Sequence, residues 1–275
     1  MSTSESTVTL SPEWLQRFGG IARLYGDSGL EALARAKFLV IGIGGVGTWI
    51  AEALARTGVG AITLVDLDDI CITNTNRQIH ALAHTVGQSK TAVMAERLRA
   101  INPELEVSEI EDFVALDNLA EIILPSYDVV IDAADNFRVK AALIAHCRGQ
   151  KQQIVTVGSA GGKRDPRQII SGDLSRTLQD PLLSRVRKQL RQKHAFPRNQ
   201  KRVFSVEAIY SPEQMLYPDG TGGVCQAKDG VLQDGVKLDC AGGFGAATMV
   251  TASFGMIAAA RAVERLLERH TPTAD

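Results

Sequence analysis

Along the first 160 positions, apolar residues gather in short blocks, each followed by a stretch with helical spacing. Phe38–Ile41, Ala61–Val65, Tyr127–Asp132 and Ile154–Gly158 read as strands covered on both faces, and Leu105–Ile110 alternates as a half-exposed one. Between them the pattern predicts helices over Val46–Thr57, Gln88–Ile101, Leu116–Leu124 and Val139–Arg148, with short helices at Pro12–Phe18 and Leu30–Ala36 ahead of the first strand. Such alternation predicts a Rossmann-like, doubly wound α/β fold: a mainly parallel sheet with helices on both faces. The alternation spans a core of residues 11–163 and then breaks. Residues 164–243 read as a mixed extension, with strand-like pieces at Gln168–Ser171 and Val203–Val206 and one basic helix. Residues 244–270 form a long helix expected to pack on the core, so the whole is one integrated domain. The Ser/Thr-rich positions 1–10 lack an apolar block and are expected to be disordered, not a leader segment.

Composition changes this picture at three points. Ala241–Ala260 carries no charge and has the length of a membrane span. It is built from Ala, Gly, Thr and Ser, which suits a helix buried between close neighbours, so no stable membrane insertion is expected. The four cysteines, Cys71, Cys147, Cys225 and Cys240, form no CxxC pair. That predicts a reducing, cytoplasmic setting and no structural zinc, with Cys225 and Cys240 as half-buried thiols. Finally, a net charge of −1 excludes bulk attraction to nucleic acid, yet 185–202 holds eight basic residues and no acid. Arg185, Arg187, Lys188, Arg191, Lys193, Arg198, Lys201 and Arg202 would form a footprint for a phosphate backbone. The competing reading is a solvated helix face.

The chemistry is carried by Gly42-Ile-Gly44-Gly45-Val-Gly47, placed where the first strand hands over to a helix. Backbone N–H groups and a positive helix end are thereby offered to a phosphate. Asp66, closing the next strand, is placed to bond ribose hydroxyls. This turn alone fits a nicotinamide or flavin dehydrogenase. Three further features fit a triphosphate with its metal: the loop Thr73–Gln78 with its amides and guanidinium, Lys90 opening the next helix, and Asp135 just beyond the fourth strand.

The ordered set Gly42-x-Gly-Gly-x-Gly47, Asp66-x-Asp68, Asn74-x-Asn76-Arg77-Gln78, Lys90 and Asp135-Asn136 resembles the adenylating domain of the ThiF/MoeB-like, ubiquitin-activating superfamily. That resemblance implies ATP as substrate, Asp66 on the ribose, Asn74 and Arg77 on the phosphates, Lys90 at the α- and β-phosphates, and Asp135 on Mg2+. It also implies a homodimer in which an arginine of a partner's N-terminal helix reaches the γ-phosphate, here Arg17 or Arg23. The stretches Arg17–Gly26, Val40–Gly47, Thr73–Leu82 and Asp239–Thr251 are further similar to the branch of bacterial tRNA-modifying dehydratases that act on threonylcarbamoyladenosine. The reaction implied is adenylation of the threonyl carboxylate beside the anticodon, then ring closure by the neighbouring carbamoyl group with loss of AMP. The partners implied are that tRNA and, in some settings, a cysteine-desulfurase and sulfur-acceptor system.

Three alternatives stay open at this stage. A zinc-free activator of a small sulfur-carrier protein's C-terminus would keep the same nucleotide site. A nicotinamide oxidoreductase would use the same glycine turn. A nucleotide-sensing module would bind without turnover.

Overall fold

The computed structural model describes residues 10–219, 221–226 and 245–270; the stretch 1–9, Cys240 and positions 239–244 of the Asp239–Thr251 stretch lie outside them. Five strands, β1 (Lys37–Ile41), β2 (Ala61–Val65), β3 (Glu106–Ile110), β4 (Val129–Asp132) and β5 (Gln153–Val157), form the predicted parallel sheet. It continues through β7 (Glu207–Tyr210), parallel to β5, and ends in β6 (Ile170–Asp173), antiparallel to β7. The order is β3-β2-β1-β4-β5-β7-β6. The segment read from sequence as an extension therefore supplies two strands of the same sheet. A small hairpin of β8 (Tyr217–Pro218) and β9 (Val224–Cys225) stands apart.

Alternation along the strands divides the core. Phe38, Val40, Ile62, Leu64, Val129, Ile131 and Val155 face α3 (Gly47–Arg56), α4 (Lys90–Ile101) and α8 (Thr248–His270). Leu39, Ile41, Val65, Val130 and Ala208 face α5 (Leu119–Ile122), α6 (Phe137–Gly149) and α7 (Pro181–Lys193). Each central strand is thus buried on both sides, which is why it reads as a continuous apolar block. No helix among the described residues is long and apolar enough to cross a membrane.

Ahead of the sheet come α1 (Pro12–Phe18) and α2 (Ala22–Arg35). Ser11 caps α1 by accepting from Trp14 N, and Pro12 opens it without a wasted donor. Trp14 and Phe18 close over Gly58, where an added Cβ would lie 2.9 Å from either ring. Gly58 precedes β2, so α1 docks at the amino-terminal edge of the sheet.

Three local expectations are corrected. The helix read as Leu30–Ala36 is longer: α2 is broken at Gly26 (φ 76°, ψ 169°), a conformation that other residues resist, and the run that reaches Arg35 begins just beyond that kink. Leu116–Leu124 shrinks to the single turn Leu119–Ile122, with Leu116 and Leu124 exposed. The strand expected at Val203–Val206 begins instead at Glu207. Ser205 has φ 53°, and the amides of Phe204 and Val206 donate to Asp173, which breaks an extended run.

Candidate active site

The strand order reverses between β1 and β4, both hydrogen-bonded neighbours in the sheet, and their carboxyl ends open the crevice where such folds bind ligands. Gly42 lies on one side of it at φ 87°, and a Cβ there would press to 2.9 Å from the Ala133 carbonyl on the other. Gly47 opens α3, and a Cβ would overlap the Gly42 carbonyl at 1.7 Å. These two glycines are required by the turn itself. At Gly44, an added Cβ would meet nothing nearer than Gln78 Nε2 at 4.0 Å; at Gly45 it would touch the Arg77 stem at 3.3 Å. Gly44 therefore leaves open the space a phosphate needs, while Gly45 lets Arg77 lie across the turn.

Asp66 is fixed from two directions: its Oδ2 accepts from Ile43 N at 2.6 Å and its Oδ1 from Asp68 N at 2.9 Å. The turn and the acid predicted for ribose are thus one unit. Lys90 is 6% exposed and donates to Asp68 at 2.6 Å, with Asp66 at 3.9 Å. Its charge is shared with Asp68, whose side chain is 59% exposed. A phosphate at Lys90 would take over from that exposed carboxylate.

The loop 73–78 folds over the turn. Asn74 is buried, and its Oδ1 accepts from Cys71 N at 3.0 Å, so it shapes the loop. The Arg77 carbonyl accepts from Trp49 Nε1 and Thr251 Oγ1, which ties α3 and α8 to the loop. Its guanidinium uses Nη1 on the Thr73 carbonyl (2.7 Å) and on Asn76 Oδ1 (3.0 Å). Asn76 in turn donates to the Ala246 carbonyl at 2.8 Å. Gln78 is 6% exposed, and its Oε1 has no partner among the described residues. A buried acceptor beside the glycine turn fits a ligand that brings a hydroxyl or amino donor. His80, 1% exposed, is pushed down to about 4 by burial and by the nearby charge of Lys90.

Sequence reasoning missed the group beneath Asp135. Asp132 and Lys140 are fully buried as an ion pair at 3.0 Å. Asp132 also accepts from Thr156 Oγ1 (2.7 Å) and Ala134 N (3.2 Å), and Lys140 donates to the carbonyls of Asp132 and Ala134. Every polar atom of the pair is used, and the loop after β4 is held rigid. The signal was present: a lysine inside the otherwise apolar Val139–Ile144. On that loop Asp135 is exposed. Asn136, part of the ordered set above, caps α6: its Oδ1 accepts from the amides of Arg138 and Val139.

Two predicted groups stand elsewhere. Arg17 and Arg23 are exposed on α1 and α2, at the opposite edge of the sheet from their own chain's turn. The basic segment divides between α7 and the loop after it. Arg191 stacks on Phe204 at 5.0 Å and donates to the Pro197 carbonyl. Arg187 is half-buried against Thr177, and burial together with neighbouring Arg191 lowers its pKa. Arg185, Lys188, Lys193, Arg198, Lys201 and Arg202 are exposed. Arg187 and Arg191 thus hold the segment together, and six are exposed, of which Arg185 also lies over the Phe137 ring at 5.9 Å.

A glycine turn, an acid fixed against it, the buried cations Arg77 and Lys90 and an exposed carboxylate thus share one edge of the sheet. The profile of the ThiF family matches residues 19–274. The tRNA threonylcarbamoyladenosine dehydratase of Escherichia coli (strain K12) is 51% identical over 263 residues, covering 96% of this chain and 98% of that one. The enzyme of the same name from Haemophilus influenzae is 49% identical, covering 92% and 94%. The solved structure of the E. coli enzyme in complex with ATP matches with a TM-score of 0.84 at 48% identity, over 95% of this chain and 98% of that one. The chain belongs to the ThiF family.

Proposed function

We propose that this chain is a cytoplasmic, ATP-dependent tRNA threonylcarbamoyladenosine dehydratase. The observation that carries the reading is end-to-end similarity to enzymes of that name, joined to a carboxyl-edge site whose parts suit a nucleoside triphosphate. Activation of a carrier protein's C-terminus would use the same turn, but it would give no reason for the cluster of exposed cations on and after α7.

A carboxylate is a poor electrophile until its oxygen attacks the α-phosphorus and expels pyrophosphate. The acyl-adenylate so formed has AMP as a good leaving group. The substrate's own carbamoyl nitrogen then attacks the acyl carbon, closes the ring and releases AMP, and the net change in the nucleoside is loss of one water. An internal nucleophile makes a protein nucleophile unnecessary. The protein's work is positioning and charge neutralisation. Asp66 orients the ribose, the amides of the glycine turn and Arg77 take phosphate oxygens, and Lys90 leaves Asp68 for the anion.

Mg2+ fits this site as a hard cation that needs one or two carboxylates beside phosphate oxygens. Exposed Asp135, on a loop made rigid by Asp132 and Lys140, is the residue that would hold it. Bound there, it would neutralise charge on the triphosphate. Because Arg17 and Arg23 face away from their own site, a homodimer in which one of them serves the partner's γ-phosphate completes the set. ATP–pyrophosphate exchange tests the reading: tRNA bearing the modification should stimulate exchange, and tRNA lacking it should not. Exchange driven by a carrier protein instead would refute it.

A further inference from the structure

A cleft of about 350 Å³ lies beside the first turn of α7, away from the glycine turn. Its position follows from a chain of contacts along the carboxyl edge of the sheet. Asp132 of β4 accepts from Thr156 of β5, and β5 runs directly into Gly158. Gly158 abuts Asp180 so closely that an added Cβ would lie 2.1 Å from its carboxylate. Asp180 accepts from the amides of Ser159 and Leu183, both at 2.8 Å, and forms part of the cleft's lining. The cleft and the loop of Asp135 therefore share one edge.

Behind the lining, Lys163, 2% exposed, donates to the carbonyls of Gln179, Ser211 and Glu213 and so links lining residue Gln179 to the segment that leads into Gln214. The walls combine Leu178, Met215 and Tyr217 with the polar groups of Ser184, Arg187 and Gln214. Apolar and aromatic walls with a few hydrogen-bonding groups suit an unstacked base read on its edge. The volume is of the order that such small-ligand sites use. A second observation lies on the same helix: Ser184 and Arg187 line the cleft, while Arg185 and Lys188 between and beside them are exposed. One rigid helix thus presents cations for an RNA backbone and a nucleoside-sized recess.

Resting on the function proposed above, we infer that this cleft receives the modified purine nucleoside of the tRNA, extruded from the anticodon loop, so that its acyl substituent points along the sheet edge toward the bound ATP. The glycine turn would then supply the nucleotide half of the active site and α7 the RNA half.

The test uses full-length protein with Ser184→Trp, which places a ring in the cleft from an exposed helix position, and Gln214→Ala, which only removes an edge contact. Steady-state rates are measured with modified tRNA and with ATP. The inference predicts that Ser184→Trp raises KM for modified tRNA by about tenfold or more and Gln214→Ala by a smaller factor, with KM for ATP within about twofold of the parent. An unchanged KM for tRNA in Ser184→Trp would overturn it while leaving the dehydratase reading intact. Parallel loss of both KM values in the two variants would assign the helix a purely structural role and overturn it as well. A parent protein without turnover of modified tRNA would instead remove the functional reading on which the inference rests.

Discussion

Single residues in this site divide into those that the fold demands and those that the ligand demands, and substitution separates them. Gly47 has no room for a methyl group against the Gly42 carbonyl, whereas Gly44 has open space around it. Gly47→Ala should therefore fail to give folded protein. Gly44→Ala should keep its thermal midpoint within about 2 °C yet lose at least about tenfold in ATP affinity, because the methyl fills the path of the phosphate. Calorimetry and equilibrium binding on the two variants check this. His80 supplies a pH test. Its folded pKa of about 4 lies below the ordinary 6.5 because it is buried, with Lys90 and Arg97 adding positive charge nearby. As pH falls below 6.5, the unfolded chain binds a proton that the folded chain refuses, so stability drops until about 4 and is flat beyond. Urea unfolding at pH 7 and pH 5 should show the parent losing about 2 kcal/mol more than His80→Leu. An equal loss in both would show that His80 is not the titrating group.

At the level of elements, α7 shows two roles that a count of charges merges. Lys188 and Lys193 are exposed, while Arg191 is stacked on Phe204 and bonded to the Pro197 carbonyl. Lys188→Gln and Lys193→Gln should each weaken tRNA binding and flatten the dependence of log K on log salt by about 1, with no change in Tm. Arg191→Gln should instead cost about 1 kcal/mol of stability. Filter binding across a salt series, paired with thermal melts, separates the two. The same division explains what the sequence showed and what it hid. Strands β1, β2, β4 and β5 were legible because burial on both faces writes an unbroken apolar block. The position of Asp66 beside the glycine turn was legible because it ends such a block just after that turn. Strand β7 was hidden because its partner in the sheet is β5, some fifty positions earlier, and Ser205 interrupts its approach. For the Asp132–Lys140 pair, the lysine in an apolar run marked an inward charge, but its partner stayed hidden because nothing local says which acid it meets. Asn136 carries a cap that its place ahead of α6 already signalled, its Oδ1 accepting from the Arg138 and Val139 amides.

For the molecule as a whole, the placement of α1 and α2 away from the glycine turn bears on assembly. If Arg17 or Arg23 completes a partner's site, an arginine variant and a Lys90→Ala variant are each inactive alone but complement when mixed. Mixed subunits should restore up to about one quarter of parental activity, since only one of the two sites in a heterodimer is intact and half the pairs are homodimers. Absence of any recovery after subunit exchange would remove the cross-subunit arginine. Assembly, cleft and basic helix all serve one claim: a phosphate turn and an RNA-facing helix on one sheet edge couple ATP cleavage to dehydration of a tRNA nucleoside. The most direct measurement is mass spectrometry of nucleosides from tRNA incubated with the full-length protein and ATP–magnesium. The account predicts that threonylcarbamoyladenosine is replaced, only when ATP is present, by a species lighter by one water, with one AMP and one pyrophosphate formed per event. An unchanged nucleoside alongside ATP turnover would contradict it.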